Sequence, residues 1–559
     1  MFRRTRAWVL ALALSWIDVA CLDAGPTPRG RQLLASRAED HVELLDGAVG
    51  LPRRIFVSFT EPGPFGVPTR QLATVDDPGP TGGATPLRVL IDHVAQAPVA
   101  CSVAGCLVPV DAQGRLYVDQ QTFSPSTNVP GGTDERDDLV VVDPVTGAQQ
   151  HLGPVEFVEI SADRARVVYQ PENATPLPPP VVRELSGAEI ALPGGESATF
   201  VGNDLFFVSD DGHLSRLAAS SGTVEALASQ VGSFEAFATQ RGFLLQLNKT
   251  NPAGDATFES SLFDVSTLTE TLLPEASAAA QAFIPSPSGR YVGTMSAPEL
   301  AQDSMFRFTV FDRDTAQQTL ATEPAMNVPS LAWRPQHDEL WFVMNQANAD
   351  AFWRWRPGAA PEEIGPGDPP SQPPLATALG QELPLLSQPT FTPDGAFLFV
   401  ADGFFQDRQP VALRSADDVT AAPYSLTPTG TGLSGVWPLA AGRLLAEDWI
   451  TDVMRNDIYL VDPAARTSRP LASTGHVVAT GRDRFLALLH WVAEGAAGDL
   501  TSIDYATGTQ TLIAQNVSGV AVDASADPDD ALAPGTRVAY LVHDRIASPY
   551  DGLWVLELP

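Results

Sequence analysis

The side chains that most often carry out enzyme chemistry are scattered along this sequence and form no complete catalytic set. The eight histidines lack the H-x-x-x-H and H-E-x-x-H spacings that place two imidazoles on one metal ion. Gly432-Leu-Ser-Gly435 begins like a nucleophile elbow, but the last glycine of that motif is missing and no alternating helices and strands follow. We therefore predict a turn at this segment and no catalytic residues.

Carboxylates form two clusters, at Asp134–Asp138 and Asp527–Asp530. Calcium requires several oxygen ligands that are regularly spaced around a glycine bend, and neither cluster has that spacing. We predict solvated loops at both clusters, no metal site and no cofactor. Val89-Leu-Ile-Asp92 resembles the approach to an aspartic-protease loop, but His93 stands where that loop needs Thr or Ser. A strand is the prediction there.

Cys101 and Cys106 lie close together in the segment C-S-V-A-G-C. Their spacing fits a disulfide across a tight turn, which an oxidising compartment would allow. So small a ring contributes only about 2 kcal/mol to stability. The alternatives are two free thiols or half of a metal site, and zinc is disfavoured because no second Cys or His pair is nearby.

Aromatic side chains are concentrated around Phe352-Trp-Arg-Trp-Arg356. In a strand, alternation places Trp353 and Trp355 on one face, with the two arginines on the other face. Stacked tryptophans can bind a sugar ring or a hydrophobic partner, so this pair is the candidate ligand-binding site. Packing between two sheets is the alternative use of the same residues.

The N-terminus has the pattern of an export signal. Arg3, Arg4 and Arg6 precede the apolar run Ala7 to Ile17, which is too short to span a bilayer. Ile17-Asp-Val-Ala-Cys21 resembles the end of a bacterial lipoprotein signal, although Asp18 departs from its aliphatic pattern. We predict export to the periplasm or cell surface, with a lipid on Cys21 as the membrane anchor. Secretion with cleavage a few residues later is the alternative.

The charge balance limits the partners. With 67 acidic and 34 basic residues, the formal net charge is -33, which repels phosphate backbones and anionic headgroups. Nucleic acid is therefore excluded as a partner. A large hydrophobic fraction of 44% is enough to build a folded core.

A repeated unit of roughly forty residues provides the framework for these side chains. Three copies, Ala282 to Met295, Leu331 to Asn345 and Pro389 to Asp402, each have an apolar strand, a Pro-Asp/Ser-Gly type turn and a second apolar strand. Outer strand pairs close with an Asp and a turn, as at Asp138 to Gly147 and at Leu500 to Gly508. Long helical periodicity is absent, so the pattern predicts an all-β fold of stacked units.

The F-x-P-D-G turn with the following L-F-V-A-D strand, and the V-V-D-x-x-T-G strand end, resemble the repeats of TolB-like and related bacterial surface β-propellers. The resemblance covers most of the chain after residue 106. It implies a single ring of four-stranded blades. Ten candidate units can be marked, and we expect about eight blades, with seven to ten as the range.

The end of the chain predicts how such a ring closes. Gly552 to Pro559 matches the third strand of a unit, so the fourth strand must come from elsewhere. We predict that an N-terminal strand, Leu87 to Asp92, supplies it. The expected organisation is a signal peptide at 1–20, a flexible tether at 21–50, N-terminal strands and loops at 51–105, and propeller repeats at 106–559.

These observations favour a monomeric, non-enzymatic scaffold that binds a protein partner of the cell envelope and touches the membrane only through its lipid. The first alternative is a propeller enzyme of the lactonase or quinone-dehydrogenase kind, with a site assembled at the central channel. The second is a carbohydrate-binding surface protein that uses Trp353 and Trp355.

Overall fold

The architecture comes from a computed structural model, which describes most of the chain. The described residues are 27–34, 41–44, 54–62, 68–77, 86–94, 110–125, 133–172, 178–194, 198–250, 256–273, 280–296, 305–322, 325–326, 331–346, 349–366, 390–392, 394–401, 411–418, 424–425, 433–450, 455–490, 497–523, 530–543 and 550–559. The chain divides into two compact units, one made of Met1–Leu107 with Thr474–Pro559 and the other of Val108–Ser473.

The described residues are all-β, without an α-helix, and a single 3-10 turn lies at Ala440–Gly442. The N-terminal strands of the first unit are β1 (Arg31–Leu34), β2 (His41–Leu44), β3 (Arg54–Pro62), β4 (Pro68–Asp76) and β5 (Arg88–Val94).

The second unit begins with β6 (Leu116–Pro125), β7 (Thr133–Val142), β8 (Gln149–Gly153), β9 (Val155–Ile160), β10 (Arg166–Pro171), β11 (Val181–Glu184), β12 (Glu189–Ala191), β13 (Ala198–Val201), β14 (Asp204–Val208), β15 (His213–Leu217), β16 (Val224–Ser229), β17 (Val231–Thr239), β18 (Gly242–Thr250), β19 (Ala256–Asp264) and β20 (Thr269–Leu272).

It continues with β21 (Ala280–Pro285), β22 (Tyr291–Ser296), β23 (Met305–Asp312), β24 (Gln317–Ala321), β25 (Ala325–Met326), β26 (Leu331–Trp333), β27 (Leu340–Gln346), β28 (Ala349–Trp355), β29 (Glu362–Pro366), β30 (Thr390–Phe391), β31 (Phe397–Ala401), β32 (Val411–Ser415), β33 (Tyr424–Ser425), β34 (Leu433–Pro438), β35 (Leu444–Ile450), β36 (Arg455–Asp462) and β37 (Thr467–Ser473).

The first unit resumes with β38 (Gly475–Thr480), β39 (Arg484–Leu489), β40 (Gly498–Asp504), β41 (Gln510–Val522), β42 (Arg537–Val542) and β43 (Gly552–Glu557). β41 is long enough to serve two sheets, because its first half pairs with β40 and its second half with β42.

Consecutive strands pair antiparallel, and five of the sheets that the structure describes have four strands, which is the arrangement of a propeller blade; the other three have seven, seven and nine strands. In the second unit, four-strand groups are β9–β12, β13–β16, β17–β20, β30–β33 and β34–β37, the groups β21–β24 and β26–β29 within the nine-stranded sheet, and a group in which a bridge from Val110 precedes β6–β8. The first unit adds β2–β5, β38–β41 and the group β41–β43 with β1. The prediction of one closed ring of about eight blades is not confirmed, because the described strands divide between two compact units.

The repeat predicted from sequence is confirmed at the level of its strands. The three quoted copies correspond to the hairpins β21–β22, β26–β27 and β30–β31. The outer strands predicted around residues 138–142 and 500–504 are β7 and β40. These hairpins were predictable because their turns need a residue with positive φ. Gly289 and Gly395 both adopt positive φ at the turn where the pattern places a glycine.

The strand beside the C-terminal strand is β1 and not the predicted Leu87–Asp92. β1 pairs antiparallel with β43, with Arg31 opposite Val555 and Leu34 opposite Leu553. The predicted segment forms β5, which is already paired with β4. An N-terminal strand therefore does occupy the fourth position, but it comes from the segment predicted to be a tether.

Two features of β1 explain why this strand pairs with the C-terminal strand β43. The side chain of Leu33 is buried in a cluster with Leu541 and Leu553, so the strand contributes to the core. Gly30 precedes it at φ +110°, where a Cβ atom would collide with the backbone carbonyl of Val555. Only glycine allows this close approach of the two backbones.

The hydrophobic core is distributed between neighbouring sheets. One cluster joins Val168 and Val182 of the sheet β9–β12 to Phe207 of the sheet β13–β16. Another joins Leu244 of β18 to Phe311 of β23. Each sheet therefore buries a face against its neighbour, as stacked repeats require.

Candidate functional site

In the second unit, the turns between the first and second strands of successive sheets form a surface that we call the turn face. It comprises the described residues of 111–115, 161–165, 202–203, 239–242, 286–290, 334–339 and 392–396. Antiparallel pairing requires these turns to lie at one end of their sheets. The turn face therefore gathers residues from distant parts of the sequence.

Each turn is fixed by its own side chains. Ser161 Oγ donates to Asp163 Oδ1 at 2.7 Å and accepts from the backbone N–H of Arg166 at 3.0 Å. Thr392 and Asp394 repeat the arrangement, with Thr392 Oγ1 donating to Asp394 Oδ1 at 2.6 Å. These local bonds satisfy the backbone groups that a turn exposes, so the turns need little support from elsewhere.

Hydrogen bonds also connect the turn of one sheet to that of the next. The backbone N–H of Ala112 donates to the carbonyl of Arg164 at 2.9 Å, and that of Ala162 to Gly202 at 3.0 Å. Further along, Ser288 Oγ donates to Asp338 Oδ2 at 2.7 Å. Arg334 Nε donates to the carbonyl of Gly395 at 2.7 Å, which continues the same series. These bonds form two series, one from Ala112 to Gly202 and one from Gln240 to Gly395, so the turns within each series are held in fixed relative positions.

Ion pairs add to this surface, one between the sheets β17–β20 and β21–β24 and one within the latter. Arg241 Nη1 lies 2.7 Å from Asp314 Oδ1, and Arg290 Nη2 lies 2.8 Å from Asp312 Oδ2. The Arg290 guanidinium holds the pKa of Asp312 below its ordinary value, and Arg241 does the same for Asp314. Both carboxylates are therefore charged at neutral pH, which keeps the surface polar.

Trp353 and Trp355, the predicted ligand-binding pair, pack on one side of β28 as alternation requires. Trp355 is only 1% exposed and meets Tyr291 and Trp333 edge to face, with ring centroids 5.5 and 6.3 Å apart. Trp353 packs against the same cluster. This burial favours packing between sheets, and a ligand-binding role for the pair stays a prediction.

The opposite side of β28 is occupied by a buried polar group. Arg354 Nε donates to Glu362 Oε1 at 2.6 Å, and its guanidinium lies 5.5 Å from the ring centroid of Trp341. Trp341 Nε1 in turn donates to the buried Glu339 at 2.7 Å. Each arginine of this cluster thus faces a carboxylate of the protein. Arg354 also donates from Nη1 to the carbonyl of Ala416 at 3.0 Å, which connects the sheet of β28 to the segment after β32.

A separate cavity of about 450 Å³ lies in the first unit, and we call it the wedge pocket. One wall is the outer part of the sheet β38–β41, and the other is the loop that precedes β42. Its lining is mostly hydroxyl and carboxylate groups, with one guanidinium: Asp483, Arg484, Ser502, Asp504, Thr507, Thr509, Thr511, Asp530, Leu532 and Pro534.

The wedge pocket was not predicted as a site. The sequence signal was limited to the polar character of the outer strand at Thr509 to Ile513. Its other wall, Asp530 to Pro534, begins at the last residue of the acidic cluster Asp527–Asp530, for which the sequence predicts a solvated loop. Only the folded chain brings these parts together.

Other predicted sites lie elsewhere. Cys21, Cys101, Cys106 and residues 527–529 fall outside the described residues. The acidic cluster Asp134–Asp138 lies in strand β7, where Asp137 stands opposite Gln121 of β6, so the prediction of a solvated loop there is wrong. Asp92 accepts a hydrogen bond from Gln71 and lies in β5, where the sequence predicted a strand. His490 Nδ1 lies 2.9 Å from Asp499 Oδ2 at an exposed position. Within the described ranges, no group of three or more His, Cys, Asp or Glu side chains has the geometry of a metal site.

The part of the chain that the structure describes also contains no helix of the length and apolar character that a bilayer crossing would require.

Comparison with known proteins identifies no family. No family profile matches the sequence, and no curated protein matches it significantly. Among solved structures, the chain is similar to a puromycin-hydrolyzing peptidase of Mycobacterium tuberculosis, at 11% identity and a TM-score of 0.28, covering 60% of this chain and 58% of that one. The tricorn protease has 11% identity and a TM-score of 0.29, covering 90% of this chain and 56% of that one.

TolB from Acinetobacter baumannii has 14% identity and a TM-score of 0.23, covering 55% of this chain and 78% of that one. The chain thus spans little more than half of the two peptidases, and at these scores none of the similarities bears on activity. What the sheets themselves establish is that the described residues are all-β and form many four-stranded antiparallel sheets of the propeller type.

Proposed function

We propose that this protein is an exported, non-enzymatic scaffold that is held at the bacterial cell envelope through Cys21 and binds a protein partner on its turn face. The observation that supports the proposal is the series of hydrogen bonds between successive turns, from Ala112 to Arg164 and from Arg334 to Gly395. A surface with fixed geometry loses little conformational entropy on binding, which favours affinity.

The charge of the chain indicates the kind of partner. A net charge of -33 attracts a basic protein and raises the rate of its encounter with the scaffold. Exposed acidic side chains of the turn face, such as Asp163 and Asp394, are available to meet it. Because this attraction is screened by salt, association should slow as ionic strength rises.

Two substitutions test the turn face without touching its hydrogen-bonding side chains. Ala162 and Gln240 are exposed and use backbone groups in the contacts between turns. Ala162→Arg and Gln240→Arg each place a bulky cation on the surface that receives a basic partner. We expect recovery of the partner to fall about tenfold in each variant, since a like charge in an interface costs more than 1 kcal/mol.

Leu272→Arg is the matched control, because Leu272 is 64% exposed on the outer strand β20 and stands opposite Ser261, which pairs with Leu247 well along β18 from the turn face. It introduces the same cation and should leave partner recovery unchanged. Equal recovery from all three variants would contradict the proposed use of the turn face. Melting curves of each variant establish that the fold is intact.

A further inference from the structure

We propose that the wedge pocket binds a neutral, polyhydroxylated ligand, such as an oligosaccharide chain of the envelope. This inference goes beyond the protein-binding role and concerns residues outside the turn face. It rests on a cavity of about 450 Å³, a size within the range of small-molecule sites. The hydrogen-bonding groups of its lining determine the class of ligand.

The floor of the wedge pocket is one face of two paired strands. Ser502 and Asp504 line the pocket, whereas Ile503 and Tyr505, at alternating positions, are buried on the other face. Thr511 stands opposite Ser502 in the register of β40 and β41. Alternation thus directs a row of short polar side chains into the cavity while the strands stay anchored in the core.

Two carboxylates of the pocket are held in place by the protein. Asp504 Oδ1 accepts from the backbone N–H of Thr507 at 2.7 Å and from its hydroxyl at 2.8 Å. Asp530 Oδ1 accepts from the backbone N–H groups of Arg482 and Leu532 at 3.0 and 3.1 Å. These bonds fix the positions of the acceptors before any ligand arrives, which lowers the entropic cost of binding.

Donors stand beside these acceptors. The guanidinium of Arg484 has five N–H groups, and one of its nitrogens donates to the carbonyl of Pro559 at 3.1 Å. Hydroxyl groups such as Thr511 Oγ1 can donate or accept. Asp483 is exposed at the rim of the pocket. Alternating donors and acceptors match the neighbouring hydroxyls of a sugar ring, each of which also donates and accepts.

Other ligand classes fit this lining less well. Asp483, Asp504 and Asp530 face a single arginine, so an anionic ligand would be repelled. An apolar ligand would find only Leu532 and Pro534 among polar neighbours, and burying it there would desolvate the carboxylates. A metal ion is disfavoured because the His, Cys, Asp and Glu side chains among the described residues include no group of three that could hold one.

The test measures binding of soluble oligosaccharides to the full chain by calorimetry. The probes are a neutral maltooligosaccharide, a neutral cellooligosaccharide, an acidic oligouronate, a cationic glucosamine oligomer and an arginine-rich peptide. We expect saturable binding of at least one neutral probe. Asp483→Ala and Thr511→Leu should each weaken it about tenfold or more, which is the usual effect of losing one hydrogen bond to a ligand.

Thr271→Leu is the control, because Thr271 occupies the matching outer strand β20 and does not line the pocket. It should leave binding unchanged. Binding of only the cationic probes would overturn the proposal, as would neutral binding that Asp483→Ala and Thr511→Leu both leave intact, or the absence of binding by every probe. Partner recovery should be normal in these variants, so failure here is distinguishable from failure of the scaffold role.

Discussion

Arg537 Nη1 lies 3.4 Å from Asp77 Oδ2, although 460 positions separate the two residues in the sequence. Both side chains are only 2% exposed. Arg537 also donates from Nη2 to Asp523 at 3.0 Å, and Arg31 of β1 pairs with the same Asp77. These charged side chains therefore join the N-terminal and C-terminal parts of the first unit beneath its surface.

Asp77→Asn should lower the free energy of unfolding by about 3 kcal/mol, because Arg31 and Arg537 then share one carboxylate fewer and the buried cluster carries an excess positive charge. Chemical denaturation monitored by tryptophan fluorescence measures the change. The control is Asp314→Asn, which removes a comparable pair with Arg241 at 46% and 44% exposure. Exposed pairs contribute about 0–1 kcal/mol, so equal losses in the two variants would argue against a buried junction.

Leu33→Ala tests whether β1 is an integral strand. The side chain is 1% exposed in a cluster with Leu553 and Ile55, and its truncation should cost about 2–4 kcal/mol. Val89→Ala, at a strand position that is 45% exposed, should change stability by less than about 0.5 kcal/mol. A negligible effect of Leu33→Ala would mean that β1 is not part of the folded core.

Ala316→Gly should stabilise the protein. Ala316 has φ +54° in the turn that follows Asp312, where the equivalent turn after Asp143 has Gly147 at φ +75°. Relief of this strain should raise the free energy of unfolding by about 0.5–1 kcal/mol, after the greater freedom of glycine in the unfolded chain is subtracted.

The reverse change, Gly147→Ala, gives the complementary measurement. No atom lies within 4 Å of a Cβ built at this glycine, so backbone strain is the main effect of the substitution. It should lower stability by about 1 kcal/mol. Thermal unfolding of both variants checks the two predictions. Shifts of the two melting temperatures in the same direction would contradict the positive φ at positions 316 and 147.

Glu159→Gln tests the effect of burial on charge. Glu159 Oε1 accepts from Thr199 Oγ1 at 2.9 Å and from the backbone N–H of Phe200 at 3.0 Å, and glutamine preserves this acceptor. Burial raises the pKa of Glu159 above its ordinary value of 4.5, although both hydrogen bonds oppose the shift. The charged form is therefore the less favoured one in the folded state.

The sign of the pH dependence follows from linkage. As pH rises through 4.5 and then through the raised folded pKa, the unfolded state releases its proton first and the native protein loses stability. Glu159→Gln removes this loss, so its advantage should be smallest below pH 4.5 and grow to a plateau above the folded pKa. Denaturation curves at a series of pH values measure it, and a constant difference would exclude the effect.

Local chemistry made much of the fold predictable. Ser286-Pro-Ser-Gly289 was interpreted as a turn because glycine tolerates positive φ, and Gly289 has φ +72°. The apolar strands on either side alternate as their pairing in the sheet requires. Trp355 could be assigned to a face of its strand, but its burial depends on Tyr291 and Trp333 of other strands.

Long-range partners could not be predicted in the same way. β1 is a strand of four residues with no distinctive pattern, and its Gln32 meets Asp551 across 519 positions. The wedge pocket depends on three separate segments, around Asp483, Asp504 and Asp530. Each segment alone has the composition of an ordinary polar turn, so the site exists only in the folded arrangement.

The scaffold role is tested most directly by cross-linking the tagged, full-length protein in intact cells and identifying the products by mass spectrometry. The account predicts one recurring basic envelope protein at near-stoichiometric yield, cross-linked to the turn face and strongly reduced by Ala162→Arg but not by Leu272→Arg. A preparation without any recurring partner, or one whose cross-links are unchanged by Ala162→Arg, would contradict it.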